Sequence, residues 1–450
     1  MIAIVGAGVA GLAAARALVD AGHEVTVVEA RDRIGGRIFT ARDDRLPVPC
    51  ELGAEFLHGE AKEAAELARS AGLIAYEVCG DRWRAERKRL TEIDNFWDEV
   101  ADVMRKLSAT RTPDRSFEDF LATNPGGPRL ARARSLAREF VQGFHAADPA
   151  LVSERALADG GMPEDEEEQR MGRIVDGFDR VPQWLARDLG SALLSGVAVS
   201  RIDWRRGDVR LTLREVRKGT TTTLSARAVV VAVPHGVLIA KPGDDGAIEI
   251  VPEPVSHMRA ARLVAMGHAR RIVLSFSEPF WETRPPRRLP KEKSLSTMTF
   301  LQGTDASFPT FWTLMPLRVP VLTGWAGGPR AVAMAGMSSD EVAALAIASL
   351  ARQLGVAQKT VEGSLTGSWT HDWSADPWSR GAYSYSMVGG SEAAKTLARS
   401  VDDTLFFAGE ATDAEGRNGT VHGAIASGYR AAAQIGQALG DYSKTVDGRP

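Results

Sequence analysis

The chain has 450 residues, 44% hydrophobic and 25% charged, with a formal net charge of −3. That length carries two or three domains and a large core, and the ordinary apolar and charged fractions are those of a soluble globular protein. The near-neutral charge gives no electrostatic case for nucleic acid, and two cysteines, Cys50 and Cys79, are too few for a disulfide framework or a zinc site; they read as free thiols in a reducing compartment.

The first stretch organises the rest. Ile2 to Val5 is an apolar strand, Gly6-Ala7-Gly8-Val9-Ala10-Gly11 a glycine turn, Leu12 to Leu18 an apolar-periodic helix ended by Gly22, and Val25 to Glu29 a second strand ending on an acid. In such a unit Gly6 permits the tight turn, Gly8 lets the backbone approach a pyrophosphate, and Gly11 lets helix and strand pack closely. The N–H groups of the opening helix turn, Ala10 among them, face the phosphates with the positive end of the dipole. Glu29, about twenty residues past the fingerprint, is placed to accept hydrogen bonds from a ribose 2′-OH and would repel a 2′-phosphate. The unit by itself does not separate NAD from FAD.

Ala30-Arg31-Asp32-Arg33-Ile34-Gly35-Gly36-Arg37 follows without a break. Gly35 and Gly36 allow a second close approach to the same phosphates, and Arg37 can neutralise them. With this motif the sequence resembles the FAD-dependent amine oxidase superfamily, which includes monoamine oxidases, polyamine oxidases and lysine-specific histone demethylases. The resemblance implies an α/β fold. A Rossmann-like FAD-binding domain (GR2-type, with a mixed sheet and a small antiparallel sheet; residues 1–60, 190–265 and 385–440) would be interleaved with an α+β substrate-binding domain (61–189 and 266–384), with a polar tail at 441–450.

Further along, Glu51-Leu52-Gly53-Ala54-Glu55-Phe56-Leu57-His58-Gly59 resembles the family loop beneath the flavin ring, which makes Gly53, Ala54, Glu55 and Phe56 cofactor contacts. His58 is either at the mouth of a substrate tunnel or satisfied in a loop. The stretch from Ala61 to about Arg187 reads as mostly helical, with amphipathic spacing over Ala61–Ala71, Thr91–Ser108, Phe117–Ala122 and Arg129–His145. The acidic run Glu164 to Glu168 is either a solvated loop or an attractor of polyamine cations. Val197–Trp204, Asp208–Glu215 and Thr222–Val233 read as strands. In the family, the position of Val199 meets the adenine, and the strand ending at Val233 closes the cofactor site.

Gly267 to Trp281 resembles a family strand ending in Phe-Trp, and Leu295–Leu301, Phe311–Pro316 and Val321–Trp325 extend that sheet before a helix at Ser339–Leu354. The segment Trp373 to Tyr385 and the runs Leu405 to Glu410 and Gly419 to Ala424 complete the likeness, with a terminal helix to about Leu439. By resemblance Trp373 and Gly409 contact the cofactor, Trp378 and Tyr383 flank flavin and substrate, and Glu410 meets the ribityl chain. Thr420 replaces the second tyrosine of the monoamine oxidases, and the helix opening at Thr420 and Val421 points its N–H groups at the reduced ring. Arg417-Asn418-Gly419 holds no cysteine, so FAD is expected to be noncovalent.

One position departs from the family. The lysine bound through a water to flavin N5 is Arg271 here, a larger, planar, permanently charged group. Strand alternation puts Arg271, Val273 and Ser275 on one face; a register slip would bring Arg270 or His268 there instead. The expected catalytic set is Arg271, Tyr383, Trp378, Thr420 and His58. The expected reaction is oxidation of a primary or secondary amine to an imine, with O2 as electron acceptor giving H2O2. A dehydrogenase, desaturase or L-amino-acid-oxidase-like enzyme is the second reading, since Arg271 can bind a carboxylate bidentately; a non-catalytic flavoprotein is the third. No apolar run spans a membrane, the N-terminus lacks a basic leader region, and the end of the chain is polar. A cytoplasmic monomer or homodimer follows, with a small-molecule amine as its partner and no nucleic acid, membrane or metal.

Overall fold

The computed structural model describes residues 1–59, 61–86, 89–93, 96–161, 168–284, 286, 288–303 and 307–440. Most of the acidic run, Glu164 to Glu167, and the polar tail 441–450 lie outside the described residues.

A five-stranded parallel sheet forms the first layer, in the order Leu193–Ser195, Val25–Glu29, Ile2–Val5, Ala228–Val231, Leu405–Phe407. Its central strands are unbroken apolar runs because both faces are covered. One face is packed by the helices Val9–Asp20 and Val421–Ala438. These two helices meet closely because Gly428 has no side chain: a Cβ there would lie 2.2 Å from the Ala10 carbonyl oxygen. The other face carries a four-stranded sheet built from Thr221–Ala226, Asp208–Glu215, Val197–Arg205 and Glu249–Val251. The chain leaves Ile2–Val5 toward Val25–Glu29 on one side and finds Ala228–Val231 on the other, which makes the carboxyl end of Ile2–Val5 a topological switch point where such sheets bind ligands.

A second sheet has seven strands, in the order Leu365–Thr370, Ala269–Phe276, Val321–Gly327, Thr310–Trp312, Met298–Gly303, Asp81–Glu86, Arg89–Glu92. Alternation decides its two faces. Ile272, Leu274, Leu301, Phe311, Leu322 and Trp83 point to a core shared with the helix Ser339–Leu354, whose start is fixed by a capping box between Ser338 and Glu341. The opposite face looks into a large cavity.

The stretch 61–187 is less helical than its sequence suggests. Ala75–Glu77, Asp81–Glu86, Arg89–Glu92 and Met171–Ile174 are strands, and the helix expected over Thr91–Ser108 is Phe96–Met104, with Thr91 and Glu92 in a strand. The reason is tertiary. Asp81–Glu86 pairs parallel with Met298–Gly303, a partner more than two hundred residues away in sequence. Elsewhere the expected strand Thr222–Val233 is two strands interrupted at Arg227, and Phe280 and Trp281 lie in a helical turn beyond the strand Ala269–Phe276. The helices Phe117–Ala122 and Ser339–Leu354 match their expected bounds.

Candidate active site

One cavity of about 1260 Å³ runs from the switch point of the first sheet to the inner face of the second. That exceeds the roughly 300–1,000 Å³ of an ordinary small-ligand pocket and suits a dinucleotide cofactor with a substrate arm beyond it. The cofactor end is lined by Gly6, Gly8, Ala10, Glu29, Ala30, Arg31, Gly35, Gly36, Arg37, Val199, Val233, Gly409, Glu410, Thr420 and Val421.

The three fingerprint glycines divide their work as their spacing predicts. Gly6 has φ +103°, and a Cβ there would meet the Ala232 carbonyl oxygen at 2.9 Å. A Cβ on Gly11 would lie 2.0 Å from the Gly6 carbonyl oxygen, so Gly11 serves packing and does not line the cavity. A Cβ on Gly8 would have nothing within 4 Å: Gly8 keeps open space for a ligand and not for the protein. Gly35 and Gly36, with φ +91° and +58°, bring the second loop against Gly8. The Glu29 carboxylate accepts from the backbone N–H of Ala7 at 2.7 Å and of Arg31 at 2.9 Å. Burial raises its pKa, and those two donors pull the other way. Each oxygen keeps a lone pair for a ribose hydroxyl, so these residues fit a dinucleotide with an unphosphorylated 2′ position.

Arg31 and Arg37 of the second loop are tied to carboxylates. Arg31 donates to Asp376 at 2.8 Å and to Ser379 at 2.9 Å. Arg37 donates to Glu410 at 2.7 Å and to the Ala382 carbonyl at 2.9 Å. Burial pushes the Glu410 carboxyl up, but the Arg37 charge and the bonds from Ser384 and Gly419 outweigh it and hold Glu410 below the usual range. Thr420 caps the helix Val421–Ala438, accepting from the Gly423 N–H at 3.0 Å and donating to the Arg417 carbonyl at 2.7 Å. Its hydroxyl is committed to the backbone, while the helix start faces the cavity as expected.

The substrate arm is aromatic. Phe56, Phe300 and Trp312 form a triangle with ring centroids 5.7–6.4 Å apart, and Trp325 packs on Trp312 at 6.1 Å. His58 stands 5.7 Å from both Phe56 and Phe144. Burial lowers its pKa to about 4, with His422 acting in the same direction, so the ring is neutral near pH 7. His145, also lining the cavity, is lowered to about 4 by burial. Tyr383 donates to the Phe144 carbonyl at 2.6 Å, and burial followed by the nearby Glu410 charge raises its phenol. Trp378 lines the cavity, and Trp373 does so while its indole N–H donates to the Leu52 carbonyl at 2.9 Å.

Arg271 lines the cavity in the expected register, opposite Trp325 on the neighbouring strand. Its guanidinium donates to the Gly53 carbonyl at 2.8 Å and to the Glu55 carboxylate, and lies 5.3 Å from the Trp312 ring. Arg173 pairs with the other oxygen of Glu55, and the Trp312 indole N–H donates at 3.1 Å to the oxygen that Arg271 holds. Burial pushes the Glu55 carboxyl up and the two arginines more than offset it, so its pKa is lowered. Glu55 is therefore a structural counter-ion for this wall. The fork of Arg271 is consumed within the protein, which withdraws the argument that it seizes a substrate carboxylate. Its Nε is buried without a partner. Arg270 points to the other side, to Asp372 and the Met334 carbonyl, and His268 bonds Ser374 at 2.7 Å.

Residues 9–436 match the model of the flavin containing amine oxidoreductase family. The chain belongs to that family. It is an FAD-dependent amine oxidase acting on C–N bonds. Polyamine oxidase 2 of Arabidopsis thaliana is 29% identical to the enzyme over 96% of this chain and 87% of its own length. An L-amino-acid oxidase of Mus musculus is 27% identical over 98% of this chain and 71% of its own. A putrescine oxidase solved with putrescine bound superposes with a TM-score of 0.79 at 24% identity, covering 96% of this chain and 98% of the other. Cyclohexylamine oxidase from Brevibacterium oxydans reaches 0.78 at 20% identity, over 98% and 99%. No helix among the described residues is long and apolar enough to cross a membrane.

Several wall residues escape a reading by motif: Phe300, Trp312, Phe144, His145 and Arg82. The available signal was alternation. Phe300 and Gln302, Thr310 and Trp312, and Arg82 and Arg84 each sit two apart on strands whose intervening residues enter the core.

Proposed function

We propose that the enzyme oxidises a primary or secondary amine to its imine, which water then hydrolyses, with O2 as acceptor and H2O2 as the second product. Bound flavin supplies the chemistry by accepting the hydride equivalent from the carbon next to nitrogen. The aromatic arm opening directly into the dinucleotide cradle carries this reading. The amine must react as the neutral base, and an apolar, aromatic enclosure favours that form by desolvation. Phe56, Trp312, Trp378 and Tyr383 orient the substrate, and neutral His58 offers a polar contact without a competing charge. Arg271, anchored to Glu55, holds a fixed positive potential on the cavity wall and does not move a proton itself. Thr420 acts through the helix it caps.

FAD is held noncovalently by Gly6, Gly8, Ala10, Glu29, Ala30, Arg31, Gly35, Gly36, Arg37, Gly53, Ala54, Phe56, Val199, Val233, Trp373, Gly409, Glu410 and Val421, with Gly11 and Glu55 supporting from behind. The cofactor body comprises 1–60, 190–265 and 385–440, and the substrate body 61–189 and 266–384; the strand memberships of the two sheets support that division. The test is anaerobic mixing of the yellow holoenzyme with a panel of amines while following the visible absorption of oxidised flavin. Bleaching followed by recovery and peroxide on admitting air is the expected result. A flavin that no amine bleaches overturns the proposal.

A further inference from the structure

The inner face of the seven-stranded sheet is a continuous floor from the reacting end of the cavity to its far end. Cross-strand pairing sets the sequence of side chains along it. Arg271 pairs with Trp325, Trp325 with Thr310, Thr310 with Gln302, and Gln302 with Arg84. One pair over, Trp312 pairs with Phe300, and Phe300 with Arg82. All of them line the one cavity. Four strand spacings separate the strand of Arg271 from that of Arg82, about 19 Å across the sheet.

Three arginines stand on this floor, and two are paired with carboxylates. Arg271 is held by Glu55, and Arg84 by Glu99 at 2.6 Å. Arg82 has no carboxylate partner and no side-chain hydrogen bond among the described residues. Its guanidinium lies over the ring of Phe300, 5.7 Å from the centroid. It is half-buried, and burial lowers its pKa. The other arginines lining the cavity are also occupied: Arg31 by Asp376, Arg37 by Glu410, and Arg155 by the Ala109 carbonyl. Gln302, diagonal to Arg82 on the neighbouring strand, and Thr310, one strand further, also line the cavity, again with no side-chain hydrogen bond among the described residues. Acids among the described lining residues are engaged or exposed. Glu139 is bound to Arg330 at 2.7 Å, and Asp159 and Glu168 are exposed to water.

An unpaired cation with hydrogen-bonding neighbours at the far end of an apolar arm repels a second ammonium and receives an oxyanion. A carboxylate matches the planar fork of a guanidinium bidentately, and the amide and hydroxyl can complete its shell. We propose that Arg82, with Gln302 and Thr310, is a specificity subsite for an oxyanion, a carboxylate being the best fit, carried by the amine substrate at the end remote from the reacting nitrogen. This deepens the amine oxidase reading and rests on it for the position of the nitrogen. It sets the preferred substrate apart from diamines, whose distal ammonium would meet Arg82.

The test uses the holoenzyme with three homologous series of matched chain length: ω-amino carboxylates, ω-diamines and n-alkylamines. The expected order of kcat/KM puts the amino carboxylates first. Arg82→Gln lowers their kcat/KM by about 10- to 100-fold, mainly through KM, as loss of a charge-assisted hydrogen bond implies. Arg82→Lys falls between, because it keeps the charge without the fork. Calorimetric binding of linear monocarboxylates lacking the amine, strong in the wild type and lost in Arg82→Gln, reads the subsite without turnover. If no amine bleaches the flavin yet these carboxylates bind through Arg82, the reaction assignment fails and the subsite stands. If diamines outrank amino carboxylates, or Arg82→Gln leaves both the ranking and carboxylate binding unchanged, the subsite is overturned.

Discussion

Arg271 and Glu55 form a buried ion pair on the cavity wall, and the guanidinium also holds the Gly53 carbonyl two residues earlier on the same loop. The carboxylate is shared with Arg173, so one acid compensates two arginines that are each about 4% exposed or less. The loop Gly53–Phe56 is thus pinned from the sheet behind it, which fixes Phe56 in the aromatic arm.

Removing that acid leaves two buried cations facing each other. Glu55→Ala is expected to destabilise the fold by ~3–5 kcal/mol, the range for breaking a buried pair by deleting one partner. Arg271→Lys keeps a charge and loses the fork, at about 1–3 kcal/mol. Denaturant unfolding of the apoprotein measures both, and a smaller effect for Glu55→Ala than for Arg271→Lys would contradict the shared-acid arrangement.

Gly8 and Gly11 separate ligand space from packing space. Gly8 has φ −69°, which any residue adopts, and open space where a Cβ would be. Gly8→Ala should leave apoprotein stability within ~0.5 kcal/mol of wild type while weakening FAD binding. Gly11→Ala drives a Cβ into the Gly6 carbonyl oxygen, 2.0 Å away, and should fail at folding before cofactor affinity is at issue. Thermal unfolding of the two apoproteins, paired with flavin fluorescence titration, distinguishes these behaviours.

His58 and His145 give the protein an acid limit. Both are lowered from 6.5 to about 4 by burial, so the folded state prefers the neutral ring and the unfolded state binds protons first. The stability each contributes is complete above pH 6.5 and is lost as the pH falls toward 4. His58→Phe should flatten the decline over that window, as read by melting temperature against pH. It should also leave the ionisations seen in kcat/KM near neutrality unchanged, because His58 does not titrate there.

Tyr383 ties the end of the helix Ala131–Gly143 to the strand Tyr383–Ser386 through its bond to the Phe144 carbonyl. Tyr383→Phe keeps the ring and removes that bond, costing about 0.5–1.5 kcal/mol. Its expected signature is a raised KM with the rate of flavin reduction at saturation little altered, since Phe144 and His58 lose their support. Tyr383→Ala, which also removes an aromatic wall, should lower both. Rapid-reaction traces of flavin bleaching against amine concentration separate the two effects.

Local sequence features were enough to lay out the cofactor half. A strand, a glycine turn, a helix and an acid are all local features, and their physical tasks follow from spacing, so Gly6, Gly8, Gly11 and Glu29 could be placed before any fold was in view. The opening of the last helix near Thr420 and Val421 was placed by resemblance, and the structure added that the Thr420 hydroxyl caps it. Tertiary structure decided the substrate half. The strand Asp81–Glu86 pairs antiparallel with Arg89–Glu92 close by in sequence, but only its alignment with Met298–Gly303 carries it from an apparent helical region into the cavity floor. Likewise, Arg271, Arg82 and Arg84 are the same residue type in similar strands. Whether each is paired depends on which carboxylates the fold brings within ion-pair distance, Glu55 for Arg271 and Glu99 together with the nearby Glu86 for Arg84. Charge compensation is a property of three-dimensional neighbours, so the one arginine left unpaired among them became visible only once the sheet was assembled.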